Sequence, residues 1–378
     1  MMGMGRNYRI AVLPGDGVGP EVITESVKVL DVLGLDLEFV YCDVGSTAYA
    51  KTGTPFPEEA MEACDEADAA LLGTVGQSYA PYEIPKKVST YLRIDRDAYA
   101  SVCPLKLFAG VYPPEDVRSQ RDIDIVVVRD NIEGFSLNHE GYIWDGEGVD
   151  KRRTTHEGAS RIVEFAFNYA LKEDRRMVTC IDAHNLLFSD KVFRRAFKIT
   201  SEKYPHLSTE WMSVNIASMM LTRYPDRFDV IVVPYIYGDM LMGSIIGQIG
   251  GVGLAPSASI GDEFAVFEPV HGAAWDIAGR GIANPIGSIL SAKMMLDWLG
   301  LQGEGAIVEN AVRSTLNSGK VRPPDMGGNS STSEMGDTIA FYVRNEPLLD
   351  QMSPMEREAV ESQLLQMPQG EDLNVEVG

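Results

Sequence analysis

Arg9-Ile-Ala-Val-Leu-Pro-Gly-Asp-Gly-Val-Gly-Pro-Glu21 decides the fold class. Its first five residues read as a buried strand, and Pro20 opens a segment of helical period through Leu33, because proline suits the first helical turn. Between them Gly15, Gly17 and Gly19 sit at a helix N-terminus, where backbone can approach a ligand closely. They alternate, which is the wrong spacing for the GxGxxG turn of a Rossmann domain. Further strands are expected at 37–44 and 69–72, and in the middle of the chain at 124–128, 178–181 and 228–233. The middle three are near-continuously apolar, as strands of a parallel sheet covered on both faces must be. Ile162, Phe165, Ala166, Tyr169 and Ala170 recur at helical spacing and read as core. Strand and helix thus alternate. The expectation is an α/β protein with a mostly parallel sheet flanked by helices and no Rossmann fold.

Composition narrows the function classes. The 378 residues suffice for two ordinary domains, and 45% hydrophobic with 23% charged residues describes a soluble globular chain. No apolar run is long enough to span a bilayer, and MMGMGRNYRI lacks the apolar core of an export signal, so a cytoplasmic address is expected and no membrane partner. The formal net charge of −22 opposes binding to a phosphate backbone, so no nucleic-acid partner is expected. Cys42, Cys64, Cys103 and Cys180 show no CxxC spacing and read as free thiols in a reducing compartment. Residues 138–153, rich in Gly, Asp and aromatics with little period, read as an arm. The chain ends in one short helical pattern at 355–365 and an acidic tail.

Two loops carry more special residues than ordinary connections need: Phe267-Glu-Pro-Val-His-Gly-Ala-Ala-Trp-Asp-Ile-Ala-Gly-Arg-Gly-Ile-Ala-Asn-Pro285 and Arg322-Pro-Pro-Asp-Met-Gly-Gly328. Taken with LPGDGVGPE (13–21), LLGTVG (71–76), VVRDN (127–131), the Gly238-Asp239 pair and GLAPSASIG (253–261), they occur in the order seen in isocitrate, isopropylmalate, homoisocitrate and tartrate dehydrogenases. The chain resembles that family over residues 8–342. The resemblance implies a large cofactor-side domain from 1–100 plus 252–345, a small dimerisation and substrate domain from 101–251 with an arm near 137–155, and a tail at 346–378. It also implies a dimer.

For the cofactor, the resemblance places the adenosine half against His271, Gly272, Ala273, Ala274, Asp276 and Ile277, with Asn284, Asp325 and Asn185 also at family positions near it. Asp276 takes the place that contacts the adenosine ribose. A carboxylate there accepts hydrogen bonds from a 2′-hydroxyl and repels a 2′-phosphate, which favours NAD over NADP.

The substrate half departs from the family pattern. Oxidative decarboxylation of a 2-hydroxy acid needs a base, a Lewis-acidic metal and an acid for the enol. The family supplies three arginines, a lysine, a tyrosine and three aspartates for Mg²⁺ or Mn²⁺. Arg93 and Arg129 match two of the arginines, and Cys103 stands in place of the other. Ser136 stands for the tyrosine and Ala183 for the lysine. Of the metal positions only Asp239 remains, with Asn215 and Gly243 at the others. Such a site should hold Mg²⁺ weakly.

His184, beside Ala183, is a candidate replacement base, although neighbours on a strand point to opposite faces unless the strand has ended. Cys103 reads either as a nucleophile or as a small buried apolar residue. Two functions follow. One is an NAD-dependent, decarboxylating dehydrogenase of a malate-type 2-hydroxy acid, by the family's chemistry or by altered chemistry on the same scaffold. The other is a catalytically silent homologue that binds nucleotide or a small carboxylate, as a homodimer or in a hetero-oligomer with an active paralogue.

Overall fold

The computed structural model describes residues 6–76, 83–135 and 140–349. Ser136 and the segment 355–365 lie outside the described residues, as do parts of 77–96 and of the 138–153 arm. Strands are β1 (Tyr8–Gly15), β2 (Leu37–Tyr41), β3 (Ala69–Thr74), β4 (Ala100–Lys106), β5 (Asp124–Asp130), β6 (Glu140–Trp144), β7 (Glu147–Lys151), β8 (Met177–Asp182), β9 (Ser208–Ser213), β10 (Val230–Val233), β11 (Pro256–Ile260) and β12 (Ala265–Pro269).

Ten of them make one sheet in the order β2-β1-β3-β12-β11-β4-β5-β10-β8-β9. Both ends of the sheet are parallel, from β2 to β12 and from β5 to β9, as the alternating strands and helices require. The centre is antiparallel, where β11 pairs with β12 and β4, and β4 with β5. The chain crosses between its two halves on these central strands, so the halves share one sheet while keeping separate cores.

In one half Ile10, Val12, Leu71 and Phe267 pack under helices Gly19–Asp31 and Ile286–Trp298, while Ala11, Leu13, Leu72 and Phe264 fill the reverse face. In the other half β5 alternates in the same way. Val126 and Val128 face helices His156–Lys172 and Phe188–Ser201; Ile125 and Val127 face helices Val214–Arg223 and Tyr237–Ile249. Both faces are covered, which is why these strands read as unbroken apolar runs. Ile162, Ala166 and Ala170 are buried, with Phe165 and Tyr169 packed beside them. All four cysteines are buried free thiols. No helix among the described residues is long and apolar enough to cross a membrane.

The 138–153 stretch read as an aperiodic arm contains a hairpin of β6 and β7, a separate two-stranded sheet whose Tyr142, Ile143 and Trp144 are exposed. The glycine loop also has a role other than the expected ligand approach. Gly15 and Gly17 take φ of 72° and 59°, and a Cβ would stand 2.0 Å from the Thr74 carbonyl oxygen at Gly15 and 1.8 Å from that of Ala273 at Gly17. The close approach is backbone to backbone. It clamps β3 and the loop after β12 onto the first helix.

Candidate functional site

At the C-terminal end of β12 the chain enters the His271 loop. His271 donates from Nδ1 to the Gly272 carbonyl at 3.1 Å, which leaves Nε2 a bare acceptor, buried and without a protein partner. Burial pushes the imidazole below its ordinary pKa, so it stays neutral and keeps that acceptor. Ala273 is buried, and its carbonyl accepts from the Val18 N–H at 2.9 Å. Asp276 is exposed, with a carboxylate that has no partner among the described residues, and Ile277 packs near Val18 and Val22. Asn284 donates to Asp325 at 3.1 Å and accepts from the Ile286 N–H at 3.1 Å; burial raises the Asp325 carboxyl.

An orphaned acceptor at one end and a free carboxylate at the other suit the hydrogen-bonding groups of an adenosine. The described geometry does not bring Asn185 into this group. It is exposed on the turn after β8, its amide unpartnered among the described residues.

Glu21 was not singled out from the sequence. It stands in the first turn of helix Gly19–Asp31 and accepts the N–H groups of Gly279 and Gly281 at 2.5 and 3.0 Å, tying the loop down. Two charge-assisted bonds of this kind contribute about 1.5–3 kcal/mol each. Glu21→Ala is therefore expected to loosen the loop and to cost about 1.5–3 kcal/mol of folding stability. Urea unfolding reads this directly, and unchanged stability would refute the clamp.

On the other side of β12, the Arg93 guanidinium donates to Glu268 at 2.6 Å. Arg129, at the end of β5, pairs with Asp239 and donates to Asn131 at 3.1 Å, and the Tyr235 ring lies 5.1 Å from it. Burial and the like charge of Arg93 lower the Arg129 pKa, and each guanidinium already has a carboxylate partner, Glu268 for Arg93 and Asp239 for Arg129. Glu268 and Tyr235 were not foreseen from the sequence. Nothing in their local pattern distinguishes them from an ordinary strand and turn residue; only the fold brings them beside the arginines. Cys103 lies in the same cluster, but burial pushes its thiol above the ordinary value. It stays protonated, as a small buried apolar residue would.

Metal ligands are not assembled. Asp239 is engaged by Arg129, Asn215 is exposed on helix Val214–Arg223, and a side chain at Gly243 would point into open space. Among the described residues no three His, Cys, Asp or Glu side chains converge as a ligand set. These residues do not fit Mg²⁺ or Mn²⁺.

β8 ends at Asp182, so His184 lies in the following turn and the strand alternation does not apply to it. Its Nδ1 is 2.9 Å from Asp182 Oδ1 and its ring meets Trp211 edge-on at 5.9 Å. No contact among the described residues links it to Arg93 or Arg129. Ala183 is buried, its N–H given to Asp190 at 2.7 Å.

Asp130, next to Arg129, accepts from the Ile132 and Glu133 N–H groups at 2.8 and 3.1 Å, yet burial pushes its carboxyl up to about 6. A carboxyl whose folded pKa lies above its unfolded one holds its proton more tightly when folded. The stability it contributes is present below about pH 4 and is lost as pH rises through about 6. Asp130→Asn keeps the acceptor oxygen and removes the buried charge. It is expected to raise stability by on the order of 2–3 kcal/mol at neutral pH, with little change below pH 4. Urea unfolding at both pH values checks this, and an equal effect at both would contradict it.

The family model for isocitrate/isopropylmalate dehydrogenase matches residues 9–339. The 3-isopropylmalate dehydrogenase of Methanothermobacter thermautotrophicus is 40% identical over 344 residues, covering 90% of this chain and 100% of that one. The 3-isopropylmalate/3-methylmalate dehydrogenase of Methanocaldococcus jannaschii is likewise 40% identical, over 345 residues, with 90% and 100% covered. The crystal structure of isocitrate dehydrogenase from Methylococcus capsulatus superposes with a TM-score of 0.83 at 31% identity, covering 89% of this chain and 99% of that one. The same motifs on the same scaffold, matched over nearly the whole length, lead to one conclusion: the chain belongs to the isocitrate/isopropylmalate dehydrogenase family.

Proposed function

We propose that this protein binds NAD at the His271 loop and a small carboxylate between Arg93 and Arg129, and that it does not perform the family's metal-dependent oxidative decarboxylation. The cofactor-side unit is then 1–100 with 252–345, and the substrate-side unit 101–251. The observation that carries this reading is Asp239. The remaining metal-position carboxylate is bound to Arg129, with a glycine and an exposed asparagine at the other two positions. A nicotinamide cofactor would supply hydride acceptance when bound. The chain's own part is to hold the adenosine at His271 and Asp276, and an anion at the paired guanidiniums.

The partner most consistent with the surface is a second copy or a paralogue. Helices Val214–Arg223 and Tyr237–Ile249 pack together and leave Ile216, Met219 and Met240 exposed, an apolar strip suited to an interface. Met219→Glu is expected to convert a dimer to monomer by sedimentation; a dimer that survives would place the interface elsewhere. One observation favours a second reading, altered chemistry on the same scaffold. The Tyr235 hydroxyl has no hydrogen-bond partner among the described residues while its ring faces Arg129, so it can hold a proton beside the bound anion.

The decisive experiment measures binding and turnover on one preparation. Calorimetry with NAD and NADP, followed by an NADH fluorescence assay over malate-type hydroxy acids, should show NAD binding without turnover. Turnover comparable to the relatives and abolished by chelator would overturn the proposal.

A further inference from the structure

The strands that carry the arginine cluster also wall a cavity on the opposite face of the sheet. Its volume is about 570 Å³, and it lies between helices His156–Lys172 and Ile286–Trp298, one from each half of the chain. Strand alternation separates it from the site already described. Phe267 of β12 lines the cavity while its neighbour Glu268 holds Arg93, and Pro104 of β4 lines it while Cys103 faces the arginines.

The apolar walls are Tyr99, Phe165, Tyr169, Phe267, Met294 and Trp298. Tyr99 and Phe165 meet edge to face at 5.8 Å, and Phe165 stacks with Tyr169 at 6.4 Å. Most charges around them are paired within the protein, while Lys172 and Glu173 are exposed and unpaired among the described residues. Lys106 reaches Glu309 at 3.0 Å and Asp124 at 3.8 Å; Lys293 reaches Asp297 at 2.8 Å and Glu309 at 3.5 Å; Arg161 holds Asp97 and Asp262. An ionic ligand would have to break these pairs. On the aromatic walls themselves two polar groups remain free: the Tyr169 hydroxyl and the Trp298 indole N–H have no hydrogen-bond partner among the described residues. Burial raises the Tyr169 pKa, so the phenol stays a donor, as the indole always is.

We propose that this cavity is a second ligand site, taking a small uncharged molecule that carries an aromatic ring and one or two hydrogen-bond acceptors. The volume falls in the range of small-molecule sites, and aromatic walls with a few fixed donors are the lining such sites have. Ring-on-ring packing supplies the affinity and the two donors the orientation.

The probe is prodan, an uncharged naphthyl ketone whose emission shifts to the blue in apolar surroundings, titrated into the full chain. The expected result is saturable binding of one prodan per chain, unaffected by excess NAD. Met294→Trp, which fills the cavity, should weaken it about tenfold or more, and Tyr169→Phe about three- to tenfold. Unfolding midpoints confirm that each variant is native. If Met294→Trp does not fold, Tyr169→Phe alone decides. Displacement by NAD, or wild-type affinity in the folded variants, overturns the proposal. So does tenfold tighter binding of the anion anilinonaphthalene sulfonate.

Discussion

Supplied with NAD, Mg²⁺ or Mn²⁺ and isocitrate, isopropylmalate, homoisocitrate, malate or tartrate, the protein is expected to form NADH about 10⁴-fold or more slowly than enzymes with the full family set. A positioned base contributes about 10²–10⁴ on its own. Here the lysine position is Ala183, buried, with no titratable atom and its only polar donor given to Asp190. The metal that would polarise the ketone lacks ligands, because Asp239 is held by Arg129 and Gly243 carries no side-chain donor. Groups acting as one unit are not additive, so the deficit is smaller than the product of the separate losses. NADH fluorescence with and without chelator measures it. A deficit under about tenfold, with the activity lost on chelation, would mean that the site reassembles around metal and substrate.

Arg194→Met is expected to cost about 3–5 kcal/mol of folding stability, the usual loss when one partner of a buried ion pair is removed. Asp182 is fully buried at the end of β8. Its carboxylate accepts from Arg194 Nε and Nη2 at 2.7 and 2.9 Å and from the His184 N–H at 3.0 Å, with His184 Nδ1 2.9 Å away. The guanidinium also lies 4.1 Å over the Trp211 ring. Methionine keeps the stem but leaves the carboxylate with His184 and the weak Cys180 thiol donor. Urea unfolding measures the loss, and the double variant Arg194→Met, Asp182→Asn should recover part of it, since the uncompensated charge is gone. A single-variant loss below about 1 kcal/mol would show that the remaining hydrogen bonds suffice to hold the carboxylate.

The strands at 9–13, 124–128 and 178–181 were legible because burial on both faces writes an unbroken apolar run, and the helix at 156–172 because one face repeats at helical spacing. β4, β11 and β12 were not read. They are the antiparallel centre, and their residues mix Ser, Cys, Pro and Glu with apolar ones, so no unbroken apolar run marks them. The hairpin of β6 and β7 was missed because both its faces meet solvent in part, which erases the alternating pattern.

For the site, sequence alone determined the family and the absence of a lysine at 183 and of aspartates at 215 and 243, since these are matters of residue identity. Only the tertiary structure decided what the survivors do. Arg93 meets Glu268 from a strand 175 positions away, and Arg129 closes on Asp239 across 110, pairings that no local pattern encodes. The glycines of the opening stretch show the same division. Their identity announces a close approach, but the thing approached, the Thr74 and Ala273 backbones, is fixed by how β1, β3 and the loop after β12 stack in space.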